Sequence, residues 1–197
     1  MIIKTDLFLE GDSISLIPLE IKHKEPLFDA LKSPEVWKYS MRKVTTVKDM
    51  EKILVIAVNN KKEGKHVPFI VKENLKGQII GTTQICSIDK ANRSVEIGWT
   101  WLSPKVWRTR VNTECKLLLL NYCFEELKVN RVQFSVSGEN LRSQKAVERI
   151  GATKEGTFRK HRIKADGTIQ DNIFYSIIDD EWGSVKERLI YLLNKAY

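Results

Sequence analysis

The chain has 197 residues, 42% of them hydrophobic, and a formal net charge of +8 at pH 7. A chain of about 150 residues buries roughly 70% of its unfolded surface, which fits one domain over residues 1–197, and the composition is not that of a disordered protein. Its longest apolar runs, such as Leu117 to Leu120, fall far short of the roughly 18 residues that a membrane helix needs, so no membrane span is expected. The positive charge attracts polyanions without naming one: a phosphate-rich cofactor, an acidic protein or RNA each fits. Met1 to Asp6 shows no basic segment followed by an apolar core, so no signal peptide is expected and the predicted location is cytoplasmic. Cys86, Cys115 and Cys123 are odd in number and have apolar neighbours, as buried free thiols do. His23, His66 and His161 are scattered, there is no Cys-x-x-Cys, and no metal is expected.

In chain order, residues 1–12 read as an N-terminal extension ending at the turn Glu10-Gly11-Asp12. Ile14 to Leu19 alternates as a first strand stopped by Pro18. Residues 23–32 suit a short helix, with a helical fragment around Trp37. Residues 47–62 place Met50, Ile53, Leu54, Ala57 and Val58 at helical spacing. Residues 67–72, 78–88 and 93–102 then predict an antiparallel meander, with turn signals at 74–77 and 89–92. Residues 112–127 form the clearest helix, with Asn112 as its expected N-cap, Glu114 in the first turn, and a face of Cys115, Leu118, Leu119, Tyr122 and Cys123. Arg131 to Val136 is a strand, and 142–150 a helix closed by Gly151. Strands at 154–164 and 170–178 are joined by an Asp166-Gly167 turn, and a helix covers 180–194. The strand, helix and strand within 94–136 make a parallel crossover inside a mostly antiparallel sheet.

Two segments carry chemistry. Val95-Glu96-Ile97-Gly98-Trp99-Thr100-Trp101-Leu102 leads through Trp107-Arg108-Thr109-Arg110-Val111-Asn112 into the helix that begins Thr113-Glu114. A helix start presents unpaired N–H groups and partial positive charge, which suits a pyrophosphate but also describes any strand-to-helix turn. The second segment, Asn140-Leu141-Arg142-Ser143-Gln144-Lys145-Ala146 to Gly151-Ala152, follows a strand and opens a helix. Its Asn-x-x-Ser-x-x-Ala pattern, with Glu96-Ile97-Gly98 and the Thr113-Glu114 helix, resembles the GNAT superfamily of N-acetyltransferases, in its RimJ/RimL-like branch, over roughly residues 14–180.

The resemblance implies an α/β (α+β) GNAT fold. Its central sheet is mixed, mostly antiparallel, of about seven strands, splayed between the fourth and fifth (93–102 and 131–136) and flanked by helices. It implies acetyl-CoA as cosubstrate, without a metal, and transfer of an acetyl group to a primary amine by direct attack. Pantetheine is expected against the backbone of Thr100, Trp101 and Leu102 and beside Asn140. The pyrophosphate is expected at Trp107, Arg108, Thr109, Arg110, Val111, Asn112 and Thr113. The family's loop glycine falls on Arg110 and its Gly/Ala position on Asn112, so arginine charge is expected to stand in for glycine curvature.

Glu96 is the expected base or water-positioning group, and alternation places it on one face with Gly98 and Thr100. The alternative is a structural ion pair with Arg93 or Arg131. Ser143 stands where RimL-like enzymes place a serine near the coenzyme sulfur, or else serves helix capping. The basic run 154–164 suits an anionic partner such as rRNA, or an exposed edge hairpin. Trp37, Trp99 and Trp101 suit an acceptor pocket or the core. Open alternatives to an enzyme are a non-catalytic acyl-CoA-binding protein and a basic ribosome- or RNA-associated module. The expected acceptor is a protein N-terminus, a ribosomal protein's included, or a small amine, and a homodimer is allowed.

Overall fold

The computed structural model describes residues 6–195; residues 1–5, on which most of the signal-peptide reading rests, lie outside the described residues. The strands are β1 (Leu9–Glu10), β2 (Ile14–Pro18), β3 (Val67–Glu73), β4 (Ile79–Asp89), β5 (Ser94–Leu102), β6 (Arg131–Ser137), β7 (Thr153–Ile163) and β8 (Ile169–Ile178). They form one eight-stranded sheet in the order β1-β2-β3-β4-β5-β6-β8-β7. Every pairing is antiparallel except β5 with β6. The strand beyond the expected seven is β1, which lies in the segment read as an extension and pairs with β2 at the sheet edge. The expected turn at Gly11 is there: its N–H donates to Ile14 O at 2.9 Å.

The helices are α1 (Lys24–Leu31), α2 (Pro34–Trp37), α3 (Val47–Lys62), α4 (Val111–Asn121), α5 (Leu141–Arg149) and α6 (Trp182–Asn194). Two cores sandwich the sheet. Leu27, Leu31, Met50, Ile53 and Leu54 of α1 and α3 pack with Ile70 and Leu19 on one side. On the other side, Cys115 and Leu119 of α4, Val147 of α5 and Leu189 of α6 pack with Phe69, Ile85, Val95, Ile97, Val132 and Phe134. The 3.6-residue period of α3 is matched by its start, where Thr46 and Asp49 cap each other reciprocally at 3.1 Å. The hydroxyl of Thr46 is the largest influence holding the Asp49 carboxyl down at about 2.

Two expectations about α4 are corrected. Asn112 does not cap it; the helix begins at Val111, whose N–H donates to Thr109 Oγ1 at 3.4 Å. Nor does it run as one α-helix to Leu127, because Tyr122–Glu126 is a π-helical turn closed by Leu127 N–H to Tyr122 O at 3.0 Å. Tyr122, Cys123 and Phe124 are all buried there.

β5 and β6 pair over only three positions, Ser94 with Arg131, Val95 with Val132 and Glu96 with Gln133, and then part. On its other edge β5 carries a bulge. Gln84 faces Gly98 and Thr82 faces Trp101, so Trp99 and Thr100 oppose Thr83 alone, and Trp99 takes φ +52°. The bulge resets the alternation. Val95 and Ile97 point into the α4 core, and beyond the bulge Leu102 does. Glu96 and Gly98 therefore share one face, but Thr100 lies on the other, where it meets Lys116 of α4. This corrects the expected face of Thr100.

Gly81 lets β4 approach this bulged stretch closely. A Cβ there would collide with Trp101 O and come within 2.7 Å of Leu102 Cδ2. Gly81→Ala is expected to cost about 1–3 kcal/mol, lowering Tm by roughly 5 °C for a chain of this size. Gly156→Ala, where a Cβ meets nothing within 4 Å, should stay within about 0.5 kcal/mol. Equal melting temperatures for the two variants would overturn this account of the β4–β5 contact.

Candidate active site

Where β5 and β6 part, a cleft of about 820 Å³ opens. Its walls are Glu96 to Leu102 on β5 and Phe134 to Ser137 on β6; beyond the last pair, Glu96 with Gln133, neither strand has a partner across the gap. A ligand with amide groups can pair with such an edge, because backbone groups there lack partners. The helices α4 and α5 both begin at this cleft, and their N-terminal N–H groups add partial positive charge.

One end of the cleft is the loop into α4. Trp107 Nε1–H donates to Leu102 O at 2.9 Å, and Thr109 Oγ1–H to Val106 O at 2.8 Å, so two side chains tie the loop to itself. The left-handed residue of the loop is Arg108, at φ +61°. Arg110, the expected glycine-equivalent, is α-helical at φ −64°. Its guanidinium pairs with Asp12 at 3.0 Å and with buried Glu114 at 3.8 Å. Trp107, Arg108, Thr109 and Asn112 line the cleft, whereas Arg110, Val111 and Thr113 do not. Val111 belongs to the core, and Thr113 Oγ1 accepts from Arg149 Nη2 at 2.7 Å.

Besides the expected Arg108, the cations facing this end are ones the sequence reading passed over. Arg142 stacks on the Trp107 ring, 3.5 Å from its centroid. Desolvation is the main cause that lowers its pKa. Lys145 and Arg149 follow at positions i+3 and i+7 from Arg142 and line the same cleft. That helical spacing was the available signal. The basic run 154–164 divides: Lys154, Arg159 and Lys160 are exposed on edge strand β7, Lys164 pairs with Glu139 at 2.9 Å, and Arg162 lines the cleft.

Toward the middle, Glu96 accepts from Gln133 Nε2 at 3.1 Å and from Ser87 Oγ at 3.5 Å. It is not ion-paired to Arg131, whose guanidinium is taken by Glu155. Asn140 caps α5 by accepting from the Ser143 N–H at 3.1 Å, and both residues line the cleft. Thr100, Trp101 and Leu102 line it as well. Trp37 is a core residue, donating from Nε1 to Leu31 O at 2.8 Å. Its ring sits 4.9 Å from that of Trp101, which in turn is 5.8 Å from Trp99. A further residue missed by sequence is Lys116, on α4. It is buried, donates to Thr100 Oγ1 at 2.9 Å, and lies 5.8 Å from the Phe134 ring centroid. The three thiols are buried. Cys86 is pushed up to about 12, chiefly by desolvation, with Glu96 adding to it. Among the described residues no group of His, Cys, Asp and Glu could hold a metal, and no helix is long and apolar enough to cross a membrane.

A sheet opened at one parallel pair, with two helix starts and a bulged strand at the opening, is the splayed arrangement that the GNAT resemblance implies. Residues 13–153 match the family described as Acetyltransferase (GNAT) domain, and the chain belongs to that family. It is similar to the Bacillus subtilis protein YdaF, provisionally named a ribosomal N-acetyltransferase: 32% identical, over 56% of this chain and 59% of that one. The chain thus spans less than two thirds of that relative. The crystal structure of a GCN5-related N-acetyltransferase from Brucella melitensis superposes with a TM-score of 0.88 at 28% identity, covering 95% of this chain and 86% of that one. Mycobacterium smegmatis RimJ, solved with CoA-disulfide, shares the fold with a TM-score of 0.76 at 19% identity, covering 91% and 88%. The chain thus carries a GNAT acetyltransferase domain over most of its length.

Desolvation lowers the Lys116 pKa. An unfolded lysine titrates near 10.4, so between the lowered folded value and that one the unfolded chain binds more protons. Stability should therefore rise with pH across that window. Lys116→Met is expected to be at least as stable as the parent at neutral pH, with the gap narrowing toward about pH 10. Urea midpoints measured across that range check it. A variant less stable at neutral pH, or a gap independent of pH, would contradict the buried-charge account.

Proposed function

We propose that this protein moves an acetyl group from acetyl-CoA to a primary amine by direct attack within a ternary complex. The observation that carries the reading is the parted β5–β6 edge, with cations at one end and Glu96 where the strands part. Acetyl-CoA supplies an activated thioester. The residues present fit it: unpaired strand edges suit its amides, and Arg108, Arg142 and Lys145 offer charge-assisted hydrogen bonds to its phosphates. Thr109 and Asn112 add polar groups beside them. Arg110 has no part in this, being committed to Asp12 and Glu114.

Glu96 takes the proton of the attacking amine, directly or through a water, and Gln133 keeps its carboxylate oriented. The backbone N–H groups at the Trp99 bulge are donors for charge that develops on the acyl oxygen. Ser143 donates a hydrogen bond to the departing thiolate. Asn140 fixes the start of α5 and so the position of Ser143. The acceptor is a small amine or a protein N-terminus; the name of YdaF motivates ribosomal proteins among the latter.

Glu96→Gln is expected to lower kcat by about 10²–10⁴-fold, and Ser143→Ala by roughly tenfold or more. Affinity for acetyl-CoA by calorimetry should be unchanged in both. Full turnover in both variants would remove these roles.

Arg142→Ala is expected to weaken coenzyme binding by about tenfold or more and to flatten its salt dependence. Arg110→Ala should leave affinity unaltered. Absence of saturable acetyl-CoA binding at moderate salt would sink the proposed activity, and the reverse ranking of the two arginines would refute the assignment of the phosphate end.

A further inference from the structure

The cleft is lined by seven cations and one carboxylate among the described residues: Arg42, Arg108, Lys116, Arg142, Lys145, Arg149 and Arg162 against Glu96. Four of the cations lie at the loop and α5 end, where a phosphate-rich coenzyme meets them. Lys116 is held against Thr100. Arg42 and Arg162 are left over. They come from two segments that meet: Arg42 from the loop between α2 and α3, and Arg162 from β7 just before the hairpin tip. Ala165 N–H donates to Ser40 O at 3.4 Å across that meeting.

Neither arginine makes an ion pair among the described residues. Arg42 lies over Trp99, its Cζ 4.8 Å from the ring centroid, and its Nε is buried without a hydrogen-bond partner. Burial alone lowers its pKa, with no carboxylate to offset it. Arg162 pairs in register with Gln170, and Gln170 and Asn172, two residues apart on β8, line the cleft beside it. Asn172 donates to Ser135 Oγ at 2.8 Å, yet its Oδ1 is buried and has no partner. Buried polar groups in folded proteins are normally satisfied. Here the residues that carry one unsatisfied acceptor and one unsatisfied guanidinium donor line the same cleft as Glu96, the only carboxylate among its described lining residues.

We infer that the acceptor is an amine that also carries an anionic group, a carboxylate or a phosphate, held by Arg42 and Arg162 while Glu96 and Asn172 Oδ1 receive its N–H groups. The inference rests on the acetyl transfer proposed above. An anion meets the two guanidiniums with charge-assisted hydrogen bonds and fills the donor capacity of Arg42. A polyamine would bring a second cation against two arginines and no second carboxylate, so the same charges that attract one class repel the other.

The test is a set of primary amines of equal length that end in a methyl, a carboxylate, a phosphate or a second ammonium group. Release of the coenzyme thiol is the readout. The carboxylate or the phosphate amine is expected to exceed the methyl amine in kcat/KM by about tenfold or more, with the diamine lowest. Comparing the two anionic amines identifies which group the site takes. Arg42→Gln and Arg162→Gln should raise KM for the anionic amines only, and Arg42→Lys should restore part of the loss. Acetyl-CoA affinity should not change in any of them. A methyl amine or diamine used as well as the anionic ones by the unaltered protein would overturn the inference and leave acetyl transfer standing. Absence of turnover with every amine would overturn both.

Discussion

The parting of β5 from β6 after three residue pairs is the constraint on which the rest of the structure depends. A parallel pair must be joined by a crossover, and here that crossover is α4. Because the two strands run the same way, both feed helices at the same end of the sheet: β5 leads to α4 and β6 to α5. Two helix N-termini therefore converge where the strands open. In open sheets, ligands bind beyond the carboxyl ends of strands at such a switch. An interior strand edge without partners leaves backbone groups free to pair with a ligand. The site is thus a set of hydrogen-bonding groups that the fold leaves open, and helix α5, capped by Asn140, presents its first turn to them.

The bulge at Trp99 decides what faces the opening. Before it, Val95 and Ile97 anchor β5 in the α4 core while Glu96 and Gly98 look the other way. After it, Thr100 and Leu102 return to the α4 side, and Thr100 joins Thr83 at 2.8 Å and Lys116 at 2.9 Å. One strand therefore serves both faces of the sheet within nine residues. The parting beyond Glu96 coincides with this reset, since a bulge bends the strand that carries it and increases its twist.

The fold was largely legible because periodicity was strong. The helix at 47–62 appears at those residues, and the strands differ from expectation by one or two positions, as element boundaries commonly do. What stayed hidden was set by local backbone geometry. An isolated glycine inside a strand pattern signals a bulge, and Gly98 stood beside the residue that bulges, but strict alternation was assumed through it. Matching the loop to a glycine pattern put the curvature at Arg110, whereas the chain turns at Arg108. The partners that take Arg110 away, Asp12 and Glu114, include one about a hundred positions distant, which no local pattern encodes. Arg142, Lys145 and Arg149 were legible in principle from their spacing. Arg42 was not, for it sits in an irregular loop and owes its place to Trp99, which packs against it from β5.

The net charge of +8, which at first bounds only the class of partner, separates into distinct physical uses. Lys154, Arg159 and Lys160 are exposed on β7, the last strand of the sheet, where charged side chains oppose pairing with another chain. Lys164 ties the hairpin to Glu139, and Arg131 ties β6 to Glu155, pairs that order the sheet and are neutralised within it. Seven further cations line one concave surface that has a single carboxylate among the described residues. Low-dielectric walls focus such a field into the cleft, raising the local concentration of anions there above that over the β7 edge. Charge of one sign thus protects an edge, fastens a hairpin and selects a ligand. The difference between these uses lies in burial and in whether the fold itself provides a counterion. Where the described residues provide none, as at Arg42, a bound anion can supply the missing partner.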